Sequence, residues 1–106
     1  MPKYLMKVKF TPDGLKGLKA AGAASRPELG RKIAAALGGT MECYYFAFGE
    51  WDVYSIMDLP NDQAAAALST QGGVTGSVQG EVTKLLTAEE LDEAFGLDTV
   101  YRAPGQ

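Results

Sequence analysis

The sequence predicts an α+β domain in which one four-stranded antiparallel sheet carries helices on one face. Three observations lead there: apolar–polar alternation in four separate segments, helix-start signals between them, and paired glycines where helical patterns stop. Together they give the order strand, helix, strand, strand, helix, strand, with a further helix at the C-terminus. The 106 residues make a single domain, 1–106, with no linker, repeat or low-complexity tract.

Residues 3 to 10 alternate, with Tyr4, Met6, Val8 and Phe10 facing one side and Leu5, Lys7 and Lys9 the other, which is the period of a strand. "TPDG" then reads as a helix start, Thr11 as N-cap and Pro12 at the first helical position, where a missing N–H costs nothing. The glycines and alanines that follow predict a short or irregular helix. "SRPE" is a second start with the spacing of a capping box, Ser25 accepting from the amide of Glu28 while Glu28 reaches back. Leu29, Ile33, Ala36 and Leu37 share one face of that helix, and Gly38-Gly39 ends it.

Strand two is expected over residues 40 to 48 and strand three over 51 to 59, joined by Gly49-Glu50 as a type II′ turn. That turn sets a register. On one face Phe48 lies opposite Trp51, Phe46 opposite Val53, Tyr44 opposite Ser55 and Glu42 opposite Met57. The other face pairs Ala47 with Asp52, Tyr45 with Tyr54, Cys43 with Ile56 and Met41 with Asp58. Pro60-Asn61 begins a helix that Gly72-Gly73 ends, and residues 74 to 86 alternate as a fourth strand. "TAEELDEAF" adds a terminal helix through a capping box of Thr87 with Glu90, and the tail from Leu97 to Gln106 is expected to be extended or mobile. This order is the ferredoxin-like split βαβ arrangement.

An antiparallel sheet with one solvated face should be apolar on one side only. The hairpin expected here is rich in aromatic and aliphatic groups on both, and its own helices can cover only one. A second copy of the chain is the simplest cover for the other, so a homodimer is expected. Trp51 is expected to be buried against Phe48.

The stretches "MPKYL", "GLKGL", "ALGG", "YYFAFGEWDV", "DLP", the "AAAAL" helix and "LLTAEELDEA" resemble the GYD-domain family of small bacterial proteins over nearly the whole chain. The family's glycine–any–tyrosine–aspartate pattern stands here as Gly49, Glu50, Trp51 and Asp52, so the ring is kept and the phenol lost. Gln79 stands in a strand where relatives commonly carry arginine. The family resembles the dimeric α/β-barrel superfamily, which implies two sheets packed face to face and a cleft between sheets and helices. The resemblance supplies no reaction.

Among residues that carry chemistry, Asp52 is the most pointed. Its carboxylate either accepts backbone amides at the hairpin mouth, the reading favoured for an Asp beside a turn, or acts as a partly buried acid or base. Glu50 at the loop tip is solvated by default. Lys7 and Lys9 are read first as the polar side of a strand and second as contacts for an anionic ligand. Tyr44, Tyr45, Tyr54, Phe46, Phe48 and Trp51 form an aromatic cluster, mostly core and interface, part of which suits an apolar pocket. Tyr45, Tyr54 and Asp52 are thus the weak catalytic candidates, and they join Lys7 and Lys9 as ligand contacts. Cys43, near mid-strand, reads as a buried inert thiol.

The absence of histidine removes His-based triads and His metal ligands, and the glycine-rich stretches match neither a P-loop nor a dinucleotide fingerprint. No cofactor and no metal are expected. A net charge of −3 with dispersed Lys and Arg disfavours nucleic acid. The absence of a signal peptide or membrane-length apolar run, with a single cysteine, points to a cytoplasmic protein without a membrane partner.

The leading expectation is a dimeric barrel that binds a small, partly apolar molecule. If it transforms that molecule, cofactor-independent oxygenation, isomerisation or lyase chemistry would suit, with Asp52 or a tyrosine managing the proton. The rivals are a sensory module, since "GEWD" also resembles the effector-binding domain of leucine-responsive regulators over a few residues, and a structural oligomer without a ligand.

Overall fold

Strand β1 (Lys3–Phe10) lies inside the sheet, antiparallel to β3 (Val53–Asp58) on one side and β4 (Val78–Leu85) on the other. Strand β2 (Thr40–Phe46) pairs with β3 and completes the order β2-β3-β1-β4, which is the ferredoxin-like arrangement expected from the sequence. The coordinates are a computed structural model describing residues 1–106. Tyr4, Met6, Val53, Ser55 and Met57 point to one side and are buried there, while Lys7, Tyr54 and Ile56 point to the other.

The helices α1 (Pro12–Ala21), α2 (Ser25–Ala36) and α3 (Asp62–Thr75) cover the first side: α2 packs on β2, α3 on β4, and α1 on β1 and α2. Helix α1 is a regular ten-residue helix, not the irregular one its glycines suggest. Thr11 caps it, accepting from the Gly14 amide at 3.1 Å, and the Thr11 amide donates to the Ser77 carbonyl at 3.0 Å. A side chain at Gly14 would collide with that same Ser77 carbonyl, so the glycine serves close packing.

Helix α2 begins without the capping box. Ala24 holds the N-cap position in helical geometry, and the Ser25 hydroxyl donates back to the Gly22 carbonyl at 2.6 Å. The turn before it is already helix-like, with the Ser25 and Arg26 amides bonded to Gly22 and Ala23, so Ser25 arrives too late to cap. Its inward stripe is Gly30, Ile33, Ala34 and Leu37, rotated from the expected one: Leu29 and Ala36 are exposed. The two buried positions of the helix are its small residues Gly30 and Ala34, with Ile33 and Leu37 half-buried beside them.

The hairpin register holds from Cys43–Ile56 through Phe46–Val53, but both ends differ. No type II′ turn forms. The strands part after Phe46 and the loop 47–52 is closed by the Ala47 amide donating to the Asp52 carbonyl at 2.8 Å. Phe48 is fully exposed, so Trp51, half-buried, is not packed against it. At the other end a bulge at Glu42 brings Met41 opposite Met57 and Thr40 opposite Asp58. Unbroken alternation would have driven the Glu42 carboxylate onto the core side against Met57. The bulge puts Met41 there instead and leaves Glu42 to pair with Lys3 at 3.0 Å.

Asn61 caps α3 as expected, accepting from the Ala64 amide. The helix runs through Gly72-Gly73 and stops at Gly76, whose left-handed backbone (φ 73°) is the true stop signal. Strand β4 therefore starts at Val78, not at Val74. Helix α4 (Ala88–Phe95) carries the expected Thr87–Glu90 capping box. With the tail it extends from the body, giving a long axis of 58 Å and a radius of gyration of 17.0 Å against about 13 Å for a compact chain of this length. The core is correspondingly small: Tyr4, Met6, Ala34, Met57, Leu59, Ala64 and Ala65.

Two glycine substitutions should behave oppositely. At Gly39 a Cβ would meet the Asp58 carbonyl, backbone that cannot yield, so Gly39→Ala should destabilise by about 1–3 kcal/mol in urea unfolding. Gly17 faces open space within α1, and Gly17→Ala should stabilise by up to about 1 kcal/mol.

Candidate functional site

Because α2 and α3 meet the sheet through small residues, the layer between them is incompletely filled. A cavity of about 140 Å³ remains. Its apolar walls are Met6, Met57 and Val82 of the sheet, Ile33 of α2 and Leu68 of α3. Gly30 forms part of the wall, and a Cβ there would press on the Met41 sulfur at 3.0 Å.

Polar residues interrupt this lining: Arg26, Tyr44 and Ser55 between the helices and the sheet, Ser69 and Gln71 of α3, and Lys7 and Glu81 at the sheet's edge of the cavity. Ser55 is buried and its hydroxyl donates to the Cys43 carbonyl at 2.7 Å, so its proton is committed. Burial raises the Tyr44 phenol above its ordinary range, and the neighbouring Arg26 guanidinium pulls it back only in part. Tyr44 is therefore a neutral hydrogen-bond donor near pH 7, not a base. Arg26 lies with its guanidinium carbon 5.6 Å from the centre of the Phe10 ring, a cation–π arrangement. Its Nε is closed off from solvent with no hydrogen-bond partner, a condition that costs on the order of 1–3 kcal/mol. Chemically, the cavity offers an apolar body and a donor-rich, positively charged end.

Most of the residues singled out from sequence lie elsewhere. Tyr45, Tyr54, Lys7 and Glu81 form one row across the sheet from β2 to β4, on the face without helices. Tyr45 is 69% exposed and Tyr54 37%, while Lys7 reaches Glu81 at 3.8 Å. Lys9, opposite Gln79 near the end of that face, is exposed. The structure thus brings Lys7, Tyr45 and Tyr54 into one row on the open face; Tyr45 and Tyr54 are remote from the cavity, whereas Lys7 also borders it. Cys43, half-buried, lies on that open face too.

Asp52 stands apart from both groups. Its Oδ2 accepts from the Phe10 amide at 2.9 Å, and its own amide donates to the Val8 carbonyl at 2.8 Å. The favoured reading, a carboxylate that satisfies backbone near the hairpin, describes this geometry, with one change of partner. The amide belongs to β1, not to the hairpin turn. Where β3 turns away after Val53, the carboxylate replaces the carbonyl the ladder would have supplied.

The strand pairings, the three sheet-covering helices and the Gly49–Asp52 loop all lie within one continuous region that matches the GYD domain, residues 4–95. The chain belongs to the GYD domain family. No curated protein and no solved structure matches it significantly. In this GYD domain the namesake glycine, Gly49, takes φ +105° in the loop, and the namesake aspartate ties the start of β3 to β1. Sequence reasoning missed Arg26, which it had placed inside a capping box. A signal was present: Arg26 is four residues before Gly30 and seven before Ile33, a charge on the stripe that faces the sheet.

At the far end of the same layer the Tyr4 hydroxyl donates to Asp62 at 2.6 Å, and Lys84 pairs with the same oxygen at 3.1 Å. That bond to Asp62, together with burial, pushes the Tyr4 phenol up to about 12, while Tyr4 and Lys84 lower the Asp62 carboxyl. No helix of this GYD domain is long and apolar enough to cross a membrane.

Asp52→Asn keeps an acceptor of nearly the same shape and should change stability by no more than about 1 kcal/mol, whereas Asp52→Ala strands the Phe10 amide and should cost about 1–3 kcal/mol. The Tyr4–Asp62 bond gives a pH signature. A raised phenol stabilises fully below its ordinary value of about 10 and loses that contribution as pH climbs towards its folded value. A lowered carboxyl contributes above about 4 and loses it as pH falls. The stability advantage of the wild type over Tyr4→Phe, followed by denaturant unfolding, should therefore be flat near neutrality and shrink at both extremes.

Proposed function

We propose that this GYD domain is a binding protein, a homodimer that holds a small, partly apolar molecule in the cavity between the sheet and helices α2 and α3. The cavity itself carries the reading: about 140 Å³ of largely apolar space entered by a few convergent polar groups, the common form of a small-molecule site. Binding is favoured over turnover because the three hydroxyls on the lining are not poised as base or nucleophile. Tyr44 is held protonated, and Ser55 and Ser69 spend their protons on the Cys43 and Ala66 carbonyls. A sensing role is one use of such a site.

Dimerisation through the open face is supported by three features. The helices that pack on the sheet lie on the other side, Tyr45 and Tyr54 stand uncovered, and Leu5 and Ile56 lie half-buried between them and the strand ends. The accessible surface of 7382 Å² also exceeds the roughly 5,700 Å² typical of a folded monomer of this mass. The excess, about 1,700 Å² on one chain, is about twice the roughly 800 Å² that each partner loses in an interface of standard size, so it leaves ample surface for one.

Methionine ε-methyl NMR tests the ligand site directly. Titration with p-cresol should shift Met6 and Met57, which line the cavity, and leave the exposed Met1 unmoved. Equal response of all methyls, or none, would overturn the site. Sedimentation at micromolar concentration should give a dimer, and Tyr54→Glu on the open face should give a monomer.

A further inference from the structure

We propose that the cavity is a carboxylate site. It takes a small apolar acid of about benzoate's size, with Arg26 holding the anionic end and the Tyr44 hydroxyl donating beside it. This rests on the reading of the cavity as a ligand site and adds the chemical class of its ligand.

Arg26 carries the argument. It takes part in none of the four ion pairs in the chain, and its Nε is the one buried side-chain nitrogen or oxygen without a partner. A guanidinium presents its donors in a planar fork, and a carboxylate is the small group that accepts two of them in parallel. The side chain is held in place by the Phe10 ring under its guanidinium. It is therefore pre-positioned, which lowers the ordering cost of binding.

The surroundings narrow the ligand. Tyr44, kept protonated by burial, turns its oxygen to the Arg26 guanidinium and keeps its O–H free to donate to an anion held there. Ser55 already points its hydroxyl at the Cys43 carbonyl and adds no acceptor directed at the ligand. Two acidic residues lie near enough to matter, and neither pairs with Arg26. Glu81 borders the cavity together with Lys7, with which it pairs at 3.8 Å so that the two charges offset, and Asp13 lines a neighbouring cavity that shares Arg26, Leu29 and Val78 as walls. For the rest of the ligand, Met6, Ile33, Met57, Leu68 and Val82 supply only apolar surface. The volume of about 140 Å³ is close to the roughly 150 Å³ of an engineered cavity that binds benzene, so a single ring or a short branched chain fills it.

The competing account is that Arg26 merely stacks on Phe10 and closes the seam between α1 and α2. Methionine ε-methyl NMR with benzoate and its neutral isostere benzamide separates the two. In the wild type, benzoate should shift Met6 and Met57 with an affinity at least about tenfold above that of benzamide, the scale of one charge-assisted bidentate contact. Arg26→Met keeps the apolar stem over Phe10 and should bring the two ligands within about twofold of each other, while Arg26→Lys should keep part of the preference. Benzamide binding as tightly as benzoate to the wild type would overturn the carboxylate proposal and leave the cavity as a neutral ligand site. Shifts from neither compound nor p-cresol would overturn the site and the proposal together. Should Arg26→Met not fold, the wild-type comparison of the two ligands still decides.

Discussion

Ala34 has no exposed surface and Gly30 has no side chain, so α2 lies closer to β2 and β3 than a helix with ordinary side chains would. That seating determines much of what surrounds it. It sets the Met41 and Met57 side chains beneath the helix and places Arg26 over Phe10. It also leaves a gap beside it, bordered on α3 by Leu68, Ser69, Gln71 and Gly72, beyond the alanines Ala64 and Ala65 that pack in the core. Small residues at a contact bring backbones together but fill little volume, and the void appears where the neighbouring side chains cannot lean in. The cavity is thus a by-product of the same residues that hold the layers together.

The sheet shows a similar economy at the ends of β3. At one end, backbone pairing is replaced by the Asp52 carboxylate on the Phe10 amide; at the other, a bulge absorbs a residue whose charge has no place in the core. The first supports the β1–β3 register that places Tyr4, Met6, Ser55 and Met57 together on the covered face, and the second brings Met41 of β2 onto that face opposite Met57. Membership of the GYD family is expressed in the first of them, since the aspartate of the motif is the residue that makes the contact. Trp51, in the tyrosine place, sits half-buried beside it.

Much of the fold was legible because its signals are local. Alternation in residues 3 to 10 and the caps at Thr11, Asn61 and Thr87 need no knowledge of what lies far away in the chain. The misreadings came where distant partners decide. Ser25 looked like a cap, yet the turn from Gly22 had already wound the chain. Gly72-Gly73 looked like a stop, but the helix continues through both and ends at Gly76. Glu42 alternates correctly, and only the cost of burying its charge against Met57 reveals the bulge. Of the catalytic and ligand-contact candidates read from the sequence, only Lys7 borders the cavity. Lys7, Lys9, Tyr45 and Tyr54 drew notice as the groups with visible chemistry, and the sheet sends them to its open face. Arg26 looked like an unremarkable helix-start residue, because its significance depends on which face of α2 meets the sheet.

The bulge at Glu42 has a consequence beyond keeping a carboxylate out of the core. Strand β2 is an edge strand, and a flat edge with free amides and carbonyls is a template for any passing strand. An extra residue there breaks the even spacing of those groups and sharpens the local twist, so an incoming strand cannot stay in step along it. The displaced carboxylate adds a charge at the same place, tied to Lys3. A chain with aromatic side chains on β2 and little core to spare is in this way discouraged from growing into fibrils by its own edge.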